Sequence, residues 1–79
     1  MLILYMKTGC PFYYTVLRTG EELGISFEEK DIADEAVAAE LVKRGGKRQV
    51  PYLVDSERDV EMYESKDIDA YLRKHYSKH

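Results

Sequence analysis

The sequence predicts one α/β domain with the order β-α-β-α-β-β-α, built on a four-stranded mixed sheet with helices on both faces. Three observations lead there. An apolar run, Leu2 to Met6, is broken at Thr8 and Gly9, and Cys10-Pro11 and a helical repeat follow. A more polar strand-like stretch then precedes an alanine-rich helical pattern, which completes a strand-helix-strand unit of the crossover kind. Last come two short strands across a polar turn, a hairpin that requires antiparallel neighbours, and a closing helix. With 79 residues there is room for a single domain over 1–79, and neither repeat nor linker interrupts it.

Leu2, Ile3, Leu4, Tyr5 and Met6 read as a strand covered on both faces. Even counted from Met1 the run is far too short to span a bilayer. No basic segment precedes it and no small-residue cleavage site follows, so it does not read as a signal peptide. Pro11 suits the first position of a helix, which puts Cys10 at or next to the N-cap. Phe12, Val16, Leu17 and Leu23 then recur at helical spacing, with Arg18, Glu21 and Glu22 opposite, and Gly24 supplies the stop.

Ile25, Phe27 and the alternating stretch to Ile32 read as a second, more exposed strand. Asp34 caps a helix from Glu35 to Arg44, whose alanines with Val37 and Leu41 give a narrow apolar stripe. Gly45-Gly46 ends it. Val50 opens a third strand through Val54, and the turn from Asp55 to Asp59 leads to a fourth in which Val60 and Met62 alternate with charges. Ser65 caps the last helix, with Asp67 in its first turn and Ile68, Tyr71, Leu72 and His75 on one face.

Composition narrows the function. Hydrophobic residues at 44% and charged ones at 34% give a globular balance. A net charge of −3, from 12 basic and 15 acidic side chains, gives no reason to expect nucleic acid, and nothing marks a membrane partner. One cysteine excludes an internal disulfide and a cysteine-rich zinc site. His75 and His79 make a poor case for a metal, so no metal site is expected. What remains is a small, soluble, cytoplasmic domain with one thiol.

A lone cysteine is as a rule a small buried hydrophobe. The position of Cys10 argues otherwise. A thiol at a helix N-terminus feels the positive end of the dipole and unpaired N–H groups, which favour thiolate. Lys7, three residues upstream, adds a cation, and the Gly9-Cys10-Pro11 turn lies where a partner can reach it. Lys43 and Arg44 read as cations complementing the end of a helix. Lys47 and Arg48 lie beyond it, placed to meet an anion near Cys10. Pro51 reads from the residues as a proline at the start of a strand.

The segment Lys7-Thr8-Gly9-Cys10-Pro11-Phe12-Tyr13 resembles the active site of glutaredoxins, normally Cys-Pro-Tyr-Cys. Gln49-Val50-Pro51 sits where that family has Thr-Val-Pro, and Tyr63-Glu64-Ser65-Lys66-Asp67-Ile68 is similar to the segment opening the last helix in glutaredoxins and in N-terminal domains of glutathione transferases. The resemblance covers nearly the whole chain and implies a thioredoxin-like fold of glutaredoxin type. It implies a cis bond before Pro51, with the main chain of Val50 pairing with the cysteinyl part of glutathione. It also implies that Phe12, Lys47, Arg48, Gln49, Val50, Pro51, Glu64, Ser65 and Asp67 bind glutathione. Gln49 departs from the family's threonine. The stretch Glu61-Met62-Tyr63 replaces the two glycines of ordinary glutaredoxins and is closer to the transferase version.

Tyr13 stands where the second cysteine would be, so no internal disulfide can close. Attack on a glutathione mixed disulfide, with release by a second glutathione, needs one cysteine only. The expected activity is therefore that of a monothiol glutathione-dependent thiol-disulfide oxidoreductase in redox homeostasis. Cys10 is the nucleophile, Lys7 its cation, glutathione the cosubstrate, and no cofactor is bound. The expected partners are glutathione and glutathionylated thiols or proteins, and the expected state is a monomer. An iron–sulfur carrier ranks lower, because Pro11 stiffens the turn and Tyr13 is bulky. A binding module without turnover is the other rival.

Overall fold

The computed structural model describes residues 2–76; Met1 and His79, both named above, lie outside the described residues. The elements follow the expected order: β1 (Leu2–Met6), α1 (Pro11–Leu23), β2 (Glu28–Asp31), α2 (Glu35–Gly45), β3 (Tyr52–Asp55), β4 (Val60–Tyr63) and α3 (Ser65–His75). The sheet runs β2-β1-β3-β4, with β2 parallel to β1 and the other two pairs antiparallel. This is the thioredoxin-like α/β architecture, a four-stranded mixed sheet between helices.

Pleating sends alternate side chains of the central strands to opposite faces. Leu2, Leu4 and Met6 of β1 and Leu53 of β3 join Tyr13 and Val16 of α1 and Ile68 and Leu72 of α3. Tyr5, Tyr52 and Val54 point the other way, against Ala38 and Leu41 of α2. Leu4, Val16, Leu41, Leu53, Ile68 and Leu72 are completely buried, each worth about 1.5–3 kcal/mol as a removed apolar side chain. Among the described residues, no helix is long and apolar enough to cross a membrane.

Four local expectations need correction. Strand β2 begins at Glu28, and Ile25 and Phe27 pack against the α1/α3 core before it starts. Strand β3 begins at Tyr52, not Val50, because Pro51 has no N–H to give a ladder. Phe12 is not on the buried stripe of α1: it is 61% exposed, while Tyr13, Val16 and Gly20 form the stripe. Ser65 is the first residue of α3, and the N-cap is Glu64, which makes no side-chain capping bond. Asp34 does cap α2, accepting from the Ala36 N–H at 2.9 Å.

Asp55, at the end of β3, is fully buried. It accepts hydrogen bonds from the Tyr71 hydroxyl of α3 (2.6 Å), the Tyr76 hydroxyl (2.7 Å) and the Glu57 N–H (3.1 Å), with the Arg58 guanidinium at 3.5 Å. Burial alone would raise its pKa, but the two tyrosine hydroxyls and the Glu57 and Arg58 N–H groups outweigh that and hold it at about 2. Because the folded value lies below the ordinary 3.8, Asp55 contributes stability that is complete above about pH 4 and lost as pH falls toward 2. Thermal melts should therefore lose about 2 kcal/mol across that window from this group. Asp55→Asn should flatten that part of the acid transition and lower stability at neutral pH. A variant with the wild-type acid profile would remove Asp55 as its source.

Candidate functional site

The register brings three chain segments to one end of the sheet. Tyr5 near the end of β1 pairs with Tyr52 at the start of β3, and Tyr52 pairs with Tyr63 at the end of β4. The turn leaving β1, the loop entering β3 and the start of α3 therefore meet at that end.

Cys10 is the N-cap of α1, with Pro11 at the first helical position. Its N–H donates to the Lys7 carbonyl at 3.1 Å, and its carbonyl accepts from the Tyr13 N–H at 3.1 Å, which closes the turn. The residue is half-buried, and no acidic side chain in the first turn competes for the positive end of the helix. Lys7 is exposed. The Ala33 N–H first, then the Thr8 hydroxyl and the charge of Lys7, hold the Asp31 carboxyl below its usual range, so the Lys7 cation is shared with the end of β2.

Tyr13 is built into the core. Its ring is buried, and its hydroxyl donates to Glu29 of β2. Burial first, then that bond, pushes the hydroxyl up to about 12. Tyr13 thus ties α1 to the sheet.

Phe12, two residues after Cys10, walls a cavity of about 370 Å³ together with Gln49, Val50, Pro51, Glu64 and Ser65, six of the residues expected to bind a ligand. The Val50–Pro51 bond is cis, as the resemblance implies. The Gln49 amide donates to the Glu64 carboxylate at 3.1 Å, linking the loop before β3 to the start of α3. Glu64 holds φ +69°, a left-handed value that costs a non-glycine residue about 1–3 kcal/mol and is common at working sites.

Other expected residues fall outside that lining. Lys47 lays its ammonium 5.7 Å from the centre of the Tyr63 ring. Arg48 turns toward Glu35, at 3.9 Å, and lines a groove on α2. Asp67 is exposed in the first turn of α3. One lining residue was missed by sequence reasoning, Lys66, which lines the cavity alongside Glu64. Its place just after Ser65, at a helix start, was the available signal. Among the described residues, no three His, Cys, Asp or Glu side chains gather to hold a metal ion.

The family described as "Glutathione S-transferase, N-terminal domain" matches residues 4–79. No match was found among curated proteins. Among solved structures, an epsilon-class glutathione S-transferase from the housefly Musca domestica is similar at 29% identity and a TM-score of 0.83, covering 100% of this chain and 37% of that one. A glutathione S-transferase isozyme from Drosophila melanogaster is similar at 30% identity and a TM-score of 0.84, with 99% and 36% covered. A glutathione S-transferase from the Antarctic clam Laternula elliptica gives 29% and 0.80, with 95% and 35% covered. The chain thus spans little more than a third of the length of these relatives.

Because Ser65 is a helical residue and not a cap, Ser65→Ala should change stability by less than about 0.5 kcal/mol. Chemical denaturation checks this; a loss near 1 kcal/mol would restore a capping role.

Proposed function

This chain belongs to the family of glutathione S-transferase N-terminal domains, and on that premise we propose that its cavity holds glutathione and that Cys10 exchanges thiols with it. The observation that carries this reading is the position of Cys10: it caps α1, and Phe12 two residues on walls the same cavity as Pro51 and Ser65. The γ-glutamyl end of glutathione carries an ammonium and a carboxylate. The cavity offers the Glu64 carboxylate for the first, and Lys66 with the start of α3 for the second. Val50 offers its main chain to the cysteinyl part.

The reaction balances with one cysteine. The Cys10 thiolate attacks the glutathione sulfur of a mixed disulfide, a Cys10–glutathione bond forms, and the substrate thiolate leaves and takes a proton. A second glutathione thiolate then attacks the glutathione sulfur of that adduct. Oxidised glutathione departs and the Cys10 thiolate is restored. A second reading, glutathione binding without thiol exchange, is favoured by the transferases among the similar structures.

A glutathione-coupled assay on a small mixed disulfide separates the two. Turnover by the wild type that disappears in Cys10→Ser, with glutathione binding retained, supports exchange; binding without turnover in the wild type supports the second reading. Treated with oxidised glutathione, the wild type should gain the mass of one glutathione and keep it, since the chain has no other cysteine to displace it. Lys66→Ala should weaken glutathione saturation, more at low salt than at high, because a partly exposed ion pair is screened as ionic strength rises. A salt-independent effect would place the carboxylate elsewhere.

A further inference from the structure

Tyr63, the last residue of β4, holds the loop that enters β3 by its main chain. Its hydroxyl accepts from the Lys47 N–H at 3.0 Å and donates to the Lys47 carbonyl at 2.9 Å. One hydroxyl thus satisfies both polar groups of a single peptide residue in an exposed turn. Its ring lies 4.5 Å from that of Tyr52, directly across the β3–β4 ladder. The Lys47 ammonium covers the same ring. At Gly45, the last residue of α2, a Cβ would collide with the Tyr63 hydroxyl and come within 2.7 Å of the ring carbon that bears it. Glycine there lets the tyrosine reach the loop.

The next residue, Glu64, takes hold of the same loop at Gln49. Two consecutive residues at the β4–α3 junction therefore grip Lys47 and Gln49, on either side of Arg48 and just ahead of the Val50–Pro51 bond. Val50, whose main chain is the part offered to a peptide-like ligand, is the next residue along. We infer that Tyr63 is a positioning residue for glutathione: its hydroxyl fixes the Lys47–Val50 segment so that the Val50 main chain faces the cavity. The inference rests on the reading of that cavity as a glutathione site.

Tyr63→Phe isolates the hydroxyl, because the ring, its tilted contact with Tyr52 and its contact with the Lys47 ammonium survive. Calorimetric titration of the intact protein with reduced glutathione should show the dissociation constant rising about five- to tenfold, the scale of one or two lost hydrogen bonds. The rate of Cys10 alkylation by iodoacetamide, which needs no glutathione site, should stay at the wild-type value. Gly45→Ala, whose Cβ would push away the ring carbons as well as the hydroxyl, should weaken binding at least as much as Tyr63→Phe. Wild-type binding by Tyr63→Phe, or alkylation that slows in parallel with binding, overturns the positioning role. A wild type that fails to bind glutathione overturns the assignment of the cavity itself, and the role of Tyr63 toward that ligand with it.

Discussion

A buried carboxylate holds the layers of this small domain in place. Asp55 ends β3, pairs across the sheet with Leu2 and Val60, and receives the hydroxyls of Tyr71 from α3 and Tyr76 just beyond it. The helix that supplies one wall of the cavity is thereby anchored at its far end to the strand that Pro51 introduces. Removing one member of such a buried charged network costs about 3–5 kcal/mol. A domain of this length has about 4–12 kcal/mol in all. The geometry of the Glu64–Ser65 wall therefore depends on a group at the opposite end of α3.

The same device recurs with three other tyrosines. Tyr5 donates to Glu40 of α2, Tyr13 to Glu29 of β2, and Tyr52 to Glu61 of β4. Each ring is buried while its hydroxyl reaches a carboxylate at the rim, so the polar tip is satisfied without water. Burial first, then the carboxylate, keeps the Tyr5 hydroxyl protonated up to about 12. A chain with 7 tyrosines, no tryptophan and 15 acidic residues can fill its modest core this way. Acidic excess and aromatic content are thus linked, since each buried ring draws a carboxylate to its tip.

Most of the fold was legible because each element carries its own periodicity and its own punctuation. Pro11, Gly24, Asp34 and Gly46 mark helix ends by chemistry that acts within a few residues, and the structure has them there. The misplaced features depend on distant segments. Phe12 and Tyr13 both stand at helical spacings from the residues buried in α1. Tyr13 turns inward onto the core built by β1, β3 and α3, with its hydroxyl on Glu29, and Phe12 turns out; those partners are distant in sequence. The cap of α3 was missed because Glu64 acts through its backbone at positive φ, which its side chain does not advertise. Arg48 follows Lys47 in sequence, yet it points to Glu35, an element away.

The order β2-β1-β3-β4 leaves β2 with one side unpaired. An open strand flank is a template on which a foreign strand can add, and long apolar ones seed aggregates. Here that flank is only four residues long and reads Glu-Glu-Lys-Asp. Tyr13 takes Glu29 and Glu40 takes Lys30, so two of its charges are fastened to the domain's own helices. An incoming strand would have to align beside fixed, mostly negative side chains, and a second copy would bring the same sign. Tyr13, by fastening Glu29, thus also helps to guard the sheet against polymerisation.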